Sequence, residues 1–138
     1  MPSITKKSGV RPEIVLPGKR ICLIDDDEDQ LVILRRLLMK SRAKIESFRS
    51  PLVALEKIKQ NPPDIIVLDI MMPDCDGWAF YEELRQQESL AEVPVLFVSC
   101  LLNARNAPFM RDEHLCDSLP KPVRKDELFA KLVELLEH

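Results

Sequence analysis

Apolar positions in this chain fall into two textures. One is the short unbroken run: Ile21-Cys22-Leu23-Ile24, Ile65-Ile66-Val67-Leu68 entered from Pro62-Pro63, and Val95-Leu96-Phe97-Val98 entered through Pro94. Runs of this length, rich in β-branched residues, read as strands buried on both faces, and burial on both faces points to a parallel sheet. The other texture has helical spacing. Leu31, Leu34 and Leu38 give the stretch from about Asp27 to Lys40 a wide apolar face, and Leu128, Leu132, Leu135 and Leu136 do the same for Val123 to Glu137.

Taken in order, the pattern predicts strands over 20–24, 44–48, 64–68, 95–98 and 116–119. Helices are predicted over about 27–40, 51–60, 77–86, 101–111 and 123–137. Asp27 and Glu28 suit the first helix start, and Ser50-Pro51 supplies an N-cap followed by proline at the first helical position. Pro108 is expected to shorten or kink the fourth helix. Alternation of five strands with five helices predicts an α/β fold, a doubly wound five-stranded parallel sheet sandwiched between helix layers. Residues 1–18 hold three prolines and two glycines without any period, and read as a flexible or loosely docked extension to a domain spanning 19–138.

Composition narrows the class. At 138 residues the chain has the length of one domain, and 46% hydrophobic with 31% charged residues describes an ordinary globular protein. No apolar stretch approaches the ~20 residues that cross a bilayer, and no secretory signal core opens the chain, so a cytoplasmic location without membrane contact is expected. The net charge of −3 argues against direct nucleic-acid binding. It is unevenly spread: Lys6, Lys7 and Arg11 against Glu13 give the first 18 residues +2, leaving −5 elsewhere. Cys22, Cys75, Cys100 and Cys116 lack metal-type or redox spacing and read as reduced thiols, Cys75 alone lying in a loop.

Candidate chemistry sits where the apolar runs stop. The third strand ends on Asp69, and the first runs into Asp25-Asp26-Asp27. Parallel strands ending in carboxylates place them on one edge of the sheet, where open α/β folds put their ligand sites. Carboxylates so gathered repel one another unless a cation joins them, and a hard divalent ion, Mg²⁺ foremost, fits oxygen donors. Asp27 reads as the cap of the first helix, and Glu28 and Asp29 as its solvated first turn.

Ile24-Asp25-Asp26-Asp27, Leu68-Asp69-Ile70-Met71-Met72-Pro73-Asp74-Cys75-Asp76-Gly77, Val98-Ser99-Cys100 and Lys121-Pro122 resemble, in order and spacing, the receiver domain of two-component response regulators, the CheY-like branch of flavodoxin-like folds. The resemblance runs from about Lys19 to the C-terminus. It implies that Asp69 accepts a phosphoryl group from a sensor histidine kinase or histidine phosphotransfer protein. Asp25, Asp26, Asp69 and the Met71 backbone carbonyl would hold Mg²⁺, with Mn²⁺ as a substitute. Lys121 and Ser99 would contact the phosphoryl oxygens, and a cis Lys121-Pro122 bond would suit the family. Such a domain catalyses its own phosphorylation, is not otherwise an enzyme, and signals to a downstream protein target.

Two departures stand out. The fifth-strand position that carries an aromatic residue in the usual receiver is Ser118, followed by Pro120, so the usual hydroxyl–aromatic switch is not expected to operate unchanged. Met71 and Leu101, at the positions flanking the attacking water, are apolar, which implies a long-lived acyl phosphate. The alternative is a pseudo-receiver, an interaction module that signals without phosphate. An aspartyl phosphatase is disfavoured because Met71 stands where such enzymes need a second Asp. A flavin binder is disfavoured because none of the three glycines forms a phosphate-cradling cluster.

Overall fold

The structure is a computed structural model and describes residues 16–72, 75–99 and 115–137, without the side chains of residues 71, 72, 75, 76 and 99. Five strands form one sheet: β1 (Arg20–Ile24), β2 (Lys44–Phe48), β3 (Ile65–Asp69), β6 (Val95–Ser99) and β7 (Cys116–Pro120). Their order is β2-β1-β3-β6-β7 and every pairing is parallel. A two-strand hairpin, β4 (Met71–Met72) with β5 (Cys75–Asp76), follows β3. Four α-helices are described: α1 (Glu28–Leu37), α2 (Pro51–Ile58), α3 (Gly77–Gln86) and α4 (Lys125–Leu136). The helix expected over 101–111 lies outside the described residues, as do residues 1–15 of the N-terminal extension.

The strands' unbroken hydrophobicity has the expected cause. Successive side chains point to opposite faces, and both faces are covered. Ile21, Leu23, Ile65, Val67, Leu96 and Val98 join one core with Leu31 and Leu34 of α1 and Leu128 and Leu132 of α4. Cys22, Ile24, Ile66, Leu68, Val95 and Phe97 join the other with Ala54 and Ile58 of α2 and Phe80, Tyr81 and Leu84 of α3. On that second face Trp78 packs on Phe97 with ring centroids 4.7 Å apart, and Tyr81 meets the same ring edge-on at 5.3 Å. Phe97 is in register with Ser118 of β7.

Helix starts follow local chemistry. Asp27 accepts the Asp29 N–H at 3.0 Å and Ser50 accepts the Val53 N–H at 3.3 Å, with Pro51 behind it. Leu16 is buried against the α1–α4 core, and its N–H donates to the Ser41 carbonyl. The extension is therefore docked at its last turn, where Gly18 takes φ +80 to lead into β1.

Candidate functional site

β1 pairs with β2 on one side and β3 on the other, so the chain's winding reverses between β1 and β3. A crevice opens beyond the carboxyl ends of strands at such a point. The residues that leave these two strands are Asp25 and Asp69, and both are buried, at 2% and 5% exposure.

Asp25 is fixed at its N–H and at both carboxylate oxygens. Its N–H donates to the Phe48 carbonyl at 3.1 Å, Oδ1 accepts the Asp27 N–H at 2.9 Å, and Oδ2 faces Lys121 Nζ at 3.1 Å. Asp69 Oδ1 lies 3.6 Å from the same ammonium. Lys121 arrives there because it directly follows β7, whose carboxyl end lies on the same edge, and the Lys121-Pro122 bond is cis. Asp26 is half-buried beside them, and one carboxylate oxygen from each of Asp25, Asp26 and Asp69 fits within a 4.8 Å group.

The loop beneath Asp69 is held by Gly77. A Cβ there would stand 2.6 Å from Ile70 Cα and 2.8 Å from the Asp69 carbonyl, and the Gly77 N–H donates to the Ile70 carbonyl at 2.9 Å. The glycine is required by close backbone approach, and it couples the start of α3 to the end of β3.

The cleft is lined by Asp25, Asp26, Asp27, Glu28, Asp29, Arg49, Asp69 and Lys121. Three converging carboxylates are hard oxygen donors of the kind that hold Mg²⁺ or Mn²⁺, and this donor set fits such an ion. Lys121, 18% exposed, offsets part of the negative charge in a setting partly shielded from water. Chemically the arrangement offers a buried carboxylate, Asp69, flanked by two groups of opposite sign, a pair of carboxylates and a lysine.

The structure thus brings together Asp25, Asp26, Asp69 and Lys121 out of the sequence-predicted set. Ser99 closes β6 opposite Pro120, but its hydroxyl is outside the described side chains, and Met71 contributes only a described backbone. Asp27 caps α1 as expected, with Glu28 and Asp29 exposed. Sequence reading missed Arg49. It follows β2 and therefore reaches the same edge as the acids, the rule that located Asp25 and Asp69.

Cys22 and Cys116 are buried free thiols, as expected; burial pushes the Cys22 thiol up to about 12. Among the described residues no helix is long and apolar enough to cross a membrane.

Comparison with known proteins agrees with this geometry. The model of the response regulator receiver domain matches residues 21–133. Response regulator MprA of Mycobacterium sp. (strain KMS) is 36% identical over 121 residues, covering 85% of this chain and 50% of that protein. The chain therefore spans about half the length of the curated relatives it matches. A putative response regulator from Chloroflexus aurantiacus superposes with a TM-score of 0.80 at 23% identity, covering 89% of this chain and 100% of that one. A two-component response regulator from Clostridium difficile does so at 0.76 and 25% identity, over 88% and 98%. The chain belongs to the response regulator receiver family.

Proposed function

We propose that Asp69 accepts a phosphoryl group from the phosphohistidine of a sensor histidine kinase or histidine phosphotransfer protein. A carboxylate oxygen of Asp69 forms the new bond to phosphorus while the bond from phosphorus to the donor nitrogen breaks, leaving an acyl phosphate. The observation that carries this reading is the convergence of three carboxylates within 4.8 Å, with Lys121 reaching both Asp25 and Asp69.

Asp25, Asp26, Asp69 and the Met71 carbonyl would hold Mg²⁺, or Mn²⁺ in its place. When bound, the ion supplies charge neutralisation that lets an anionic nucleophile meet an anionic phosphoryl group. The Asp27 N–H and Lys121 fix the Asp25 carboxylate so that the metal-binding pair needs little rearrangement. Lys121 Nζ, already 3.6 Å from Asp69, is placed to donate to a phosphoryl oxygen on it. Ser99 at the end of β6 would donate a second hydrogen bond. Catalysis is confined to this self-modification. The product acts in the cytoplasm through a downstream protein target, without nucleic-acid or membrane contact by this domain, and apolar Met71 and Leu101 keep its hydrolysis slow.

The pseudo-receiver alternative gains nothing from the site, since acids and lysine are all in place. Incubation with acetyl phosphate and Mg²⁺, read by intact mass, is expected to add one phosphoryl group. The gain should vanish in Asp69→Asn and on removing Mg²⁺. A folded protein that binds Mg²⁺ and gains no mass would overturn the phosphoacceptor reading.

A further inference from the structure

The cleft carries more negative charge than its acceptor chemistry uses. Asp25, Asp26, Asp27, Glu28, Asp29 and Asp69 line it, against Lys121 and Arg49 among the described residues. Lys121 is engaged with Asp25 and Asp69. Arg49 is engaged only through its inner nitrogen: Nε donates to the Asp26 backbone carbonyl at 3.1 Å, and its two terminal nitrogens have no hydrogen bond to a described residue. That bond anchors the side chain at the mouth of the cleft and leaves an exposed forked donor there.

A phosphodonor approaching Asp69 is itself an anion and must pass the Asp27–Asp29 carboxylates. An anchored guanidinium beside that path lowers the repulsion in proportion to the donor's negative charge. We propose that Arg49 is a donor-selecting residue of the phosphoryl-transfer reaction, favouring doubly negative donors such as acyl phosphates over donors whose leaving group carries a positive charge. The inference rests on the phosphoacceptor reading and adds to it a residue that touches the incoming phosphoryl group before transfer.

The two donor classes give balanced reactions at the same acceptor. With acetyl phosphate, an Asp69 oxygen forms the bond to phosphorus and the acyl oxygen–phosphorus bond breaks, acetate leaving with the electron pair. With phosphoramidate the phosphorus–nitrogen bond breaks and ammonia leaves. Acetyl phosphate is a dianion near pH 7, whereas phosphoramidate carries an ammonium that offsets part of its charge.

The test compares the wild-type chain with Arg49→Ala, Arg49→Lys and Arg49→Glu, measuring phosphorylation rates with both donors at low and high salt. Mg²⁺ affinity is read separately by titration of Trp78 fluorescence. Arg49→Ala is expected to slow acetyl phosphate about fivefold at low salt and phosphoramidate by less than twofold, with the gap closing as salt rises. Arg49→Glu should widen the gap and Arg49→Lys should restore most of the rate. Equal slowing with both donors together with weaker Mg²⁺ binding would make Arg49 a brace for the Asp26 loop and overturn the proposal, as would unchanged rates. Failure of wild type with both donors would instead sink the phosphoacceptor reading on which the proposal rests.

Discussion

The two edges of the sheet are built on opposite principles. At the amino edge, charge is used to close the structure. Arg85 donates to the carbonyls of Leu90, Val93 and Leu115 and to the Tyr81 hydroxyl, and its guanidinium lies 4.8 Å over the Tyr81 ring. Arg20 does likewise for Asn61, Pro62 and Glu46, while its N–H donates to Asp64. At the carboxyl edge, like charges converge and are only partly offset. One edge converts polar groups into stability, and the other holds a concentration of charge ready for an external cation and anion. The difference teaches where to look for function: at the edge whose charges the protein does not balance by itself.

This contrast can be broken most forcefully at Arg85. Arg85→Ala leaves several carbonyls short of a donor at the amino edge and is expected to cost about 3 kcal/mol by urea denaturation. Asp69→Asn, at the other edge, loses its contact with Lys121 but relieves repulsion from Asp25 and Asp26, and should stay within about 1 kcal/mol of wild type while abolishing phosphorylation. A reversal of that ranking would show that the acidic edge, too, is built for stability.

Next in size is the response to metal. Saturating Mg²⁺, at about a hundred times its dissociation constant, should add about 2.7 kcal/mol to unfolding stability. Combining Asp25→Asn with Asp26→Asn should remove that increment without affecting the amino edge. An unchanged increment would place the ion elsewhere.

Cys22, midway along β1, sharpens the comparison through pH. Its thiol rises from 9.0 to about 12, chiefly by burial, so folding favours the neutral form. The associated stability is complete below pH 9.0 and is lost as pH climbs towards about 12. Cys22→Ala should flatten that part of the pH–stability curve, and native-state labelling of this thiol at pH 8 should be far slower than labelling in urea.

The smallest effect is expected at Lys131, which pairs with Asp117 of β7 at 2.7 Å. The hydrogen bond from Lys131 to Asp117 holds the ammonium above 10.5, so its contribution is intact below that pH and fades as pH rises through the raised value. With both side chains 33% exposed, Asp117→Asn should cost only about 0.5 kcal/mol at neutral pH.

Most of the fold was legible because double-sided burial writes strands as unbroken apolar runs, and because Ser50-Pro51 and Asp27 announce helix starts. The acids of the site were legible for the same reason, since each stands where such a run ends. The short 3₁₀ turns Met39–Ser41 and Glu88–Leu90 were not, since single turns carry no period. Nor was the role of Gly77, which depends on Ile70 and Asp69 passing within van der Waals reach. Arg49 and Arg85 were hidden because a lone arginine gives no pattern. Their partners, the carbonyls of Asp26, Leu90, Val93 and Leu115, lie on other segments and belong to the backbone, which sequence does not label.

The stack of Trp78 on Phe97 has an optical consequence. Trp78 is the chain's only tryptophan, and it opens α3 one residue after the glycine that rests on the Asp69 loop. A displacement of that loop would reach Trp78 through the adjoining Gly77 and shift the indole against the Phe97 ring, 4.7 Å away. The emission spectrum of the unlabelled protein is therefore expected to change when the site is loaded, with no second tryptophan in the sequence to overlap it.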